Sequence, residues 1–205
     1  DTDADGVRSM GSNGRSGFTF DVPELTFHIF RGDYASILNN YNDVAGGSFM
    51  PPLWALDSIW WKDDDNDARY FPPGVTNAQG SVLDTAAKLA ENRIRAGAIL
   101  IDRPYGTSNA TFSGDGGWGN FDFHPAGFPD APAMVSALQS QGLNLMLWIS
   151  DHCWSGLHDE GTANGWLFDP AKTNAYTTAD FSNAAAYEWF GRKLGTFVNL
   201  GVKGY

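Results

Sequence analysis

Residues 83–102 read LDTAAKLAENRIRAGAILID, and this stretch decides the fold. Its first part, 83–96, is Ala/Leu-rich and predicts a helix with Asp84 near its start. Its last seven residues, AGAILID at 96–102, form a short apolar run of the kind a strand buried on both faces requires, without the alternation of a half-exposed strand. The same pair recurs downstream. MVSALQSQ (134–141) predicts a helix that passes through Gly142 into the apolar run LNLMLWIS (143–150). Residues 183–200 predict a third helix, leading through Gly201 into VKGY. Upstream, LWALDSIWW (53–61) is apolar enough for a first buried strand. The order βαβαβαβ points to an α/β protein with a parallel sheet, and a (β/α)8 barrel and a doubly wound sheet both satisfy it.

Residues 1–50 have another texture. GFTFDV (17–22) and LTFHIF (25–30) predict two short strands, and Asp33 stands as the cap of a helix over YASILNNYNDV (34–44), stopped by Gly46 and Gly47. The expected division is therefore 1–50, the end of a β-rich domain with a linking helix, and 51–205, the first part of a barrel. Gly201–Tyr205 reads as the start of a fourth strand. A barrel needs more strands than four to close, so the chain is expected to be the N-terminal part of a longer protein.

Charge and composition exclude several functions. Thirteen Lys and Arg against 24 Asp and Glu give a formal charge of −11, with no basic run, so nucleic acid is not an expected partner. No apolar run reaches the roughly 20 residues of a membrane span, and no membrane partner is expected. The single Cys153 excludes an internal disulfide and leaves the compartment open among cytoplasm, periplasm and the outside of the cell. Eight Trp and 24 Gly suit a carbohydrate cleft, although they also suit a β-rich core.

The polar residues gather after the strands, where barrels build their sites. Asp102 ends AILID; Trp60, Trp61 and Asp63 follow the first apolar run; Trp148, Asp151 and Trp154 follow the third. Aromatic faces stack on sugars, and carboxylates hold hydroxyls through charge-assisted hydrogen bonds. Asp102 could equally cap the turn before Arg103-Pro104. Asp63, Asp65 and Asp67 alternate as in a calcium loop, but Ala68 stands where such a loop needs Gly and Gly74 where it needs Glu, so an EF-hand is excluded. His152-Cys153 lacks the partners of a thiol nucleophile, and His28, His124 and His158 show no metal-ligand spacing. Asn109-Ala110-Thr111 is a glycosylation sequon. No metal or cofactor is expected.

Three ordered segments carry a family resemblance. FHIFRGDYASILNNYNDVAGGSFMPPLWAL (27–56) resembles the junction in glycoside hydrolase family 31 at which an N-terminal β-sandwich hands over to the catalytic (β/α)8 barrel. FDFHPAGFPDAPAMVSALQSQGLNLMLWIS (121–150) and ADFSNAAAYEWFGRKLGTFVNLGVKGY (179–205) resemble the family's approaches to its third and fourth strands. The resemblance covers residues 26–205. It implies a retaining α-glycosidase acting on terminal α-linked sugars, with the nucleophile and acid/base encoded beyond Tyr205 and no catalytic residue within 1–205. It also implies substrate-binding residues: Asp102 and Trp148 in subsite −1, with Trp61, Tyr105 and Asp151 in loops where the family varies. Arg103-Pro104-Tyr105 replaces the second aspartate and aromatic of α-glucosidase members, so glucose is not specified. The absence of the Gln-Asp-Trp strand end argues against a sulfonated sugar. The expected partners are an α-linked saccharide and the remaining part of the same enzyme. A non-catalytic sugar-binding fragment, half of a nicked two-chain enzyme, another (β/α)8 enzyme class and homo-oligomerisation remain open.

Overall fold

The computed structural model describes residues 6–10, 16–20, 23–63, 71–102, 120–168 and 177–205. The chain divides into two compact units, Asp1–Met50 and Pro51–Tyr205.

In the first unit, β1 (Gly6–Met10) and β2 (Ser16–Phe20) form a two-stranded antiparallel sheet. These two strands alone do not show the β-sandwich end expected over residues 1–50. α1 (Tyr34–Ala45) forms as the sequence predicts: the Asp33 side chain accepts from the Ser36 N–H at 2.8 Å, and Gly46 ends it at φ 87°. Hydrogen bonds from Ser36 hold the Asp33 carboxyl below its usual range. LTFHIF does not form the expected strand. Residues 25–30 pair with no strand among the described residues, and Leu25, Phe27 and Ile29 stay exposed. β-propensity expresses fit to a paired, half-buried surface, and without a partner it produces no strand.

The second unit is built on a three-stranded parallel sheet in the order β3 (Ile59–Lys62), β4 (Ala98–Ile101), β5 (Asn144–Leu147). Helices α2 (Ala78–Glu91) and α3 (Ala131–Ser140) make the crossovers. Asn77 and Asp130 cap them, each side chain accepting a backbone N–H three residues on. After β5 come α4 (Ser155–Asn164) and α5 (Ala184–Leu200), and the chain returns beside β5: Met146 and Gly204 form a parallel bridge, and Lys203 N–H donates to Leu145 O at 2.9 Å. VKGY thus docks where a fourth parallel strand begins, as its sequence suggests.

Three expectations are corrected. LWALDSIWW is not one buried strand. Leu53–Leu56 form a 3₁₀ turn and only the last three residues of the run enter β3. Ile59, Trp60 and Trp61 are exposed because β3 is an edge of the described sheet. The second helix spans 78–91 instead of 83–96, since Asn77 caps it earlier; Asp84 lies in its middle, paired with Lys88 at 2.6 Å. Asp151, which the resemblance puts in a loop, is followed by a helix, α4, which ends at left-handed Gly165.

Alternation along paired strands places Ile99, Ile101, Leu145 and Leu147 on one face. These four are buried with Val82 and Ala86 of α2 and Met134, Val135 and Leu138 of α3. Trp189, Phe190 and Phe197 of α5 join the same core, where Phe190 meets Phe121 edge-on at 5.1 Å. Covering these apolar runs with helices is what makes a parallel sheet stable.

Candidate functional site

The opposite face of the sheet carries Trp61, Leu100, Asp102, Met146 and Trp148. Trp61 pairs with Leu100 and Leu100 with Met146, while continuing the Ile101–Leu147 pair by one residue matches Asp102 with Trp148. The backbone agrees, since Trp148 N–H donates to Ile101 O at 3.0 Å. Asp102 and Trp148 therefore leave adjacent strands at the same level, at the C-terminal edge.

Asp102 is 7% exposed, Trp148 37% and Trp61 65%. A buried carboxylate is costly unless donors meet it. Trp61 supplies one, its indole N–H donating to Asp102 Oδ2 at 2.8 Å. Asp102 therefore does more than cap a turn: it joins two strands across the open face, and a recessed acceptor sits beside two accessible rings.

Asp151 stands four residues past β5 and bonds locally. Ser150 Oγ donates to its Oδ1 at 3.4 Å, and His152 Nε2 lies 3.8 Å from the same oxygen. Tyr105 lies outside the described residues, as do Asp65 and Asp67 of the acidic run and the Asn109 sequon. Asp63 immediately follows β3. Among the described residues no three His, Cys, Asp or Glu side chains gather as metal ligands, and no helix is long and apolar enough to cross a membrane.

Cys153 is buried, and burial together with the Asp151 charge pushes its thiol up to about 12. A thiol this basic is protonated at neutral pH and cannot serve as a nucleophile. His124 is buried in the turn before α3, where its Nδ1 accepts the Ala126 N–H at 3.1 Å.

Sequence reasoning passed over Lys62. This buried residue donates from Nζ to Ser81 Oγ on α2 at 3.1 Å, and its carbonyl accepts the Asp102 N–H at 2.8 Å. The available signal was a lysine ending an apolar run, which suits a strand end.

A cavity of about 710 Å³ runs along β3 and α2, lined among others by Trp60, Trp61, Lys62, Asp84, Lys88 and Ile94. Neither Asp102 nor Trp148 lines it, and most of its wall belongs to α2 and the helix-covered side of β3. Its size therefore does not by itself mark it as the candidate site.

A parallel sheet with crossover helices and polar residues at its C-terminal edge is the arrangement of an α/β domain that builds its site beyond the strand ends. The chain belongs to glycosyl hydrolases family 31, a family of glycoside hydrolases, whose TIM-barrel domain matches residues 48–205. Alpha-glucosidase 2 of Bacillus thermoamyloliquefaciens is 20% identical over 201 residues, covering 91% of this chain and 23% of that protein. A dextranase of Flavobacterium johnsoniae, solved with glucose, superposes with a TM-score of 0.67 at 20% identity, over 86% of this chain and 21% of its own. The α-xylosidase of Xanthomonas citri gives 0.65 at 21% identity, over 84% and 18%. The chain thus spans about a fifth of the length of these relatives.

Proposed function

We propose that this chain provides the sugar-holding part of a retaining α-glycosidase that removes terminal α-linked sugars from oligosaccharides or glycosides. The observation that carries the reading is the recessed Asp102 carboxylate at the C-terminal edge, flanked on one face by the accessible rings of Trp61 and Trp148. The carboxylate accepts sugar hydroxyls, and the rings take the apolar faces of the pyranose. Tyr105 and Asp151 are proposed to complete the set.

In this reading the bond-breaking groups are two carboxyls about 5–5.5 Å apart, one a nucleophile and the other an acid/base, working through a glycosyl-enzyme intermediate. Residues outside this chain's sequence supply them, as the much longer relatives allow. Asp102 and Trp148 act by holding the sugar in a reactive orientation, and the hydrogen bonds to Asp102 strengthen as charge develops on the ring. The proposed partners are the α-linked saccharide and the rest of the same barrel.

The test is hydrolysis of 4-nitrophenyl α-glycosides by the 205-residue chain and by that chain joined to the remainder of its barrel. The reading expects no turnover from the first, and from the second release of the α-anomer, followed by NMR. Turnover by the chain alone, or release of the β-anomer, contradicts it. The names of the relatives favour α-glucosides and α-xylosides as first substrates.

A further inference from the structure

Two consecutive residues of β3 hold Asp102. The Lys62 carbonyl accepts its backbone N–H at 2.8 Å, and the Trp61 indole N–H donates to its Oδ2 at 2.8 Å. The first contact fixes the main chain of Asp102 against the strand end, and the second fixes a side-chain oxygen. β3 is itself anchored from the other face, where the Lys62 ammonium meets Ser81 of α2 at 3.1 Å.

The exposures of the two partners differ in a telling way. An indole that is 65% exposed can donate to water, so burial does not compel its N–H toward a carboxylate. Its direction is a feature of the site. Asp102, 7% exposed, gains from every donor it meets. An ionised carboxylate has two acceptor oxygens in one plane, and a fixed N–H on one of them sets how that plane turns about the Cβ–Cγ bond. A sugar hydroxyl then meets an acceptor already oriented, instead of ordering it on binding.

We propose that Trp61 is a positioning residue for Asp102, its indole N–H orienting the carboxylate that receives the sugar hydroxyls. This deepens the sugar-site reading above and rests on it. Trp61 acts through Asp102, and its ring face is secondary.

The test is a double-mutant cycle on the 205-residue chain, with methyl α-D-glucopyranoside as the probe and binding followed by NMR titration. Trp61→Phe keeps an aromatic face and removes the N–H; Asp102→Asn removes the charge that the N–H addresses. The expected loss of affinity is about tenfold for Trp61→Phe, as for a hydrogen bond to a charged group. Asp102→Asn loses at least as much. Adding Trp61→Phe to Asp102→Asn costs less than about twofold, because the charged acceptor it orients has gone and only a neutral amide oxygen remains. Equal losses in both backgrounds indicate direct stacking on the sugar and overturn the proposal. If Trp61→Phe binds like the wild type while Asp102→Asn does not, the positioning role fails and the sugar site stands. If Asp102→Asn binds as tightly as the wild type, or the wild type does not bind, the sugar-site reading itself fails. A readout independent of sugar is the Trp61 indole ¹H–¹⁵N resonance, assigned by its loss in Trp61→Phe. It moves upfield in Asp102→Ala, which leaves no side-chain acceptor, and an unmoved resonance overturns the hydrogen bond.

Discussion

The two faces of the β3–β4–β5 sheet have the same backbone and opposite fates. On one, Ile99, Ile101, Leu145 and Leu147 are sealed beneath α2 and α3. On the other, Leu100 and Met146 are only partly covered, and beyond them stand Asp102, Trp61 and Trp148. A single-residue step along a strand moves a side chain from the core to the candidate site. On the proposed reading the covered face carries stability and the other carries chemistry, and substitutions should separate the two.

The largest separation is expected between neighbours in one ladder. Ile101→Ala should cost about 2–5 kcal/mol in chemical denaturation, because it opens a cavity among tightly packed neighbours. Trp148→Ala should cost under about 1 kcal/mol while weakening sugar binding. If the two cost the same stability, the comparison between faces is wrong. Gly97→Ala is next. Its new Cβ would run into the Trp54 carbonyl just before β4, and about 1–3 kcal/mol should be lost without any specific effect on sugar affinity. Asn77→Ala removes the acceptor of the Gly80 N–H at the start of α2, at about 1 kcal/mol, and measures how far a helix of the covered face depends on its cap.

Cys153 has no effect to show at neutral pH. Its folded-state thiol is raised to about 12 from an ordinary 9.0, so between those values the native state keeps a proton that the unfolded state releases. Stability should accordingly fall as pH rises from about 9 toward 12, and Cys153→Ala should flatten that fall. Alkylation of the native thiol should stay slow throughout the neutral range.

The covered face was legible in the sequence because unbroken apolar runs and helix periodicity are local signals. AILID, LNLML and the helix from Asn183 announce themselves without knowledge of their neighbours. Asp102 and Trp148 were legible for a related reason, as the first polar or aromatic residues after such runs. What escaped depended on partners distant in sequence. LTFHIF has strand composition and no strand beside it, and LWALDSIWW was divided by a 3₁₀ turn lodged against Gly97. The hold of Trp61 and Lys62 on Asp102 joins residues about forty positions apart, and no local pattern encodes it.

The most direct test maps where a sugar touches the chain. Methyl α-D-glucopyranoside titrated into the ¹⁵N-labelled protein should shift the Trp61 and Trp148 indole resonances and the Asp102 amide, leaving Trp60 and the α2 residues Asp84 and Lys88 unmoved. Shifts confined to Trp60, Asp84 and Lys88 would place the sugar in the cavity beside α2 and contradict the assignment of the open face.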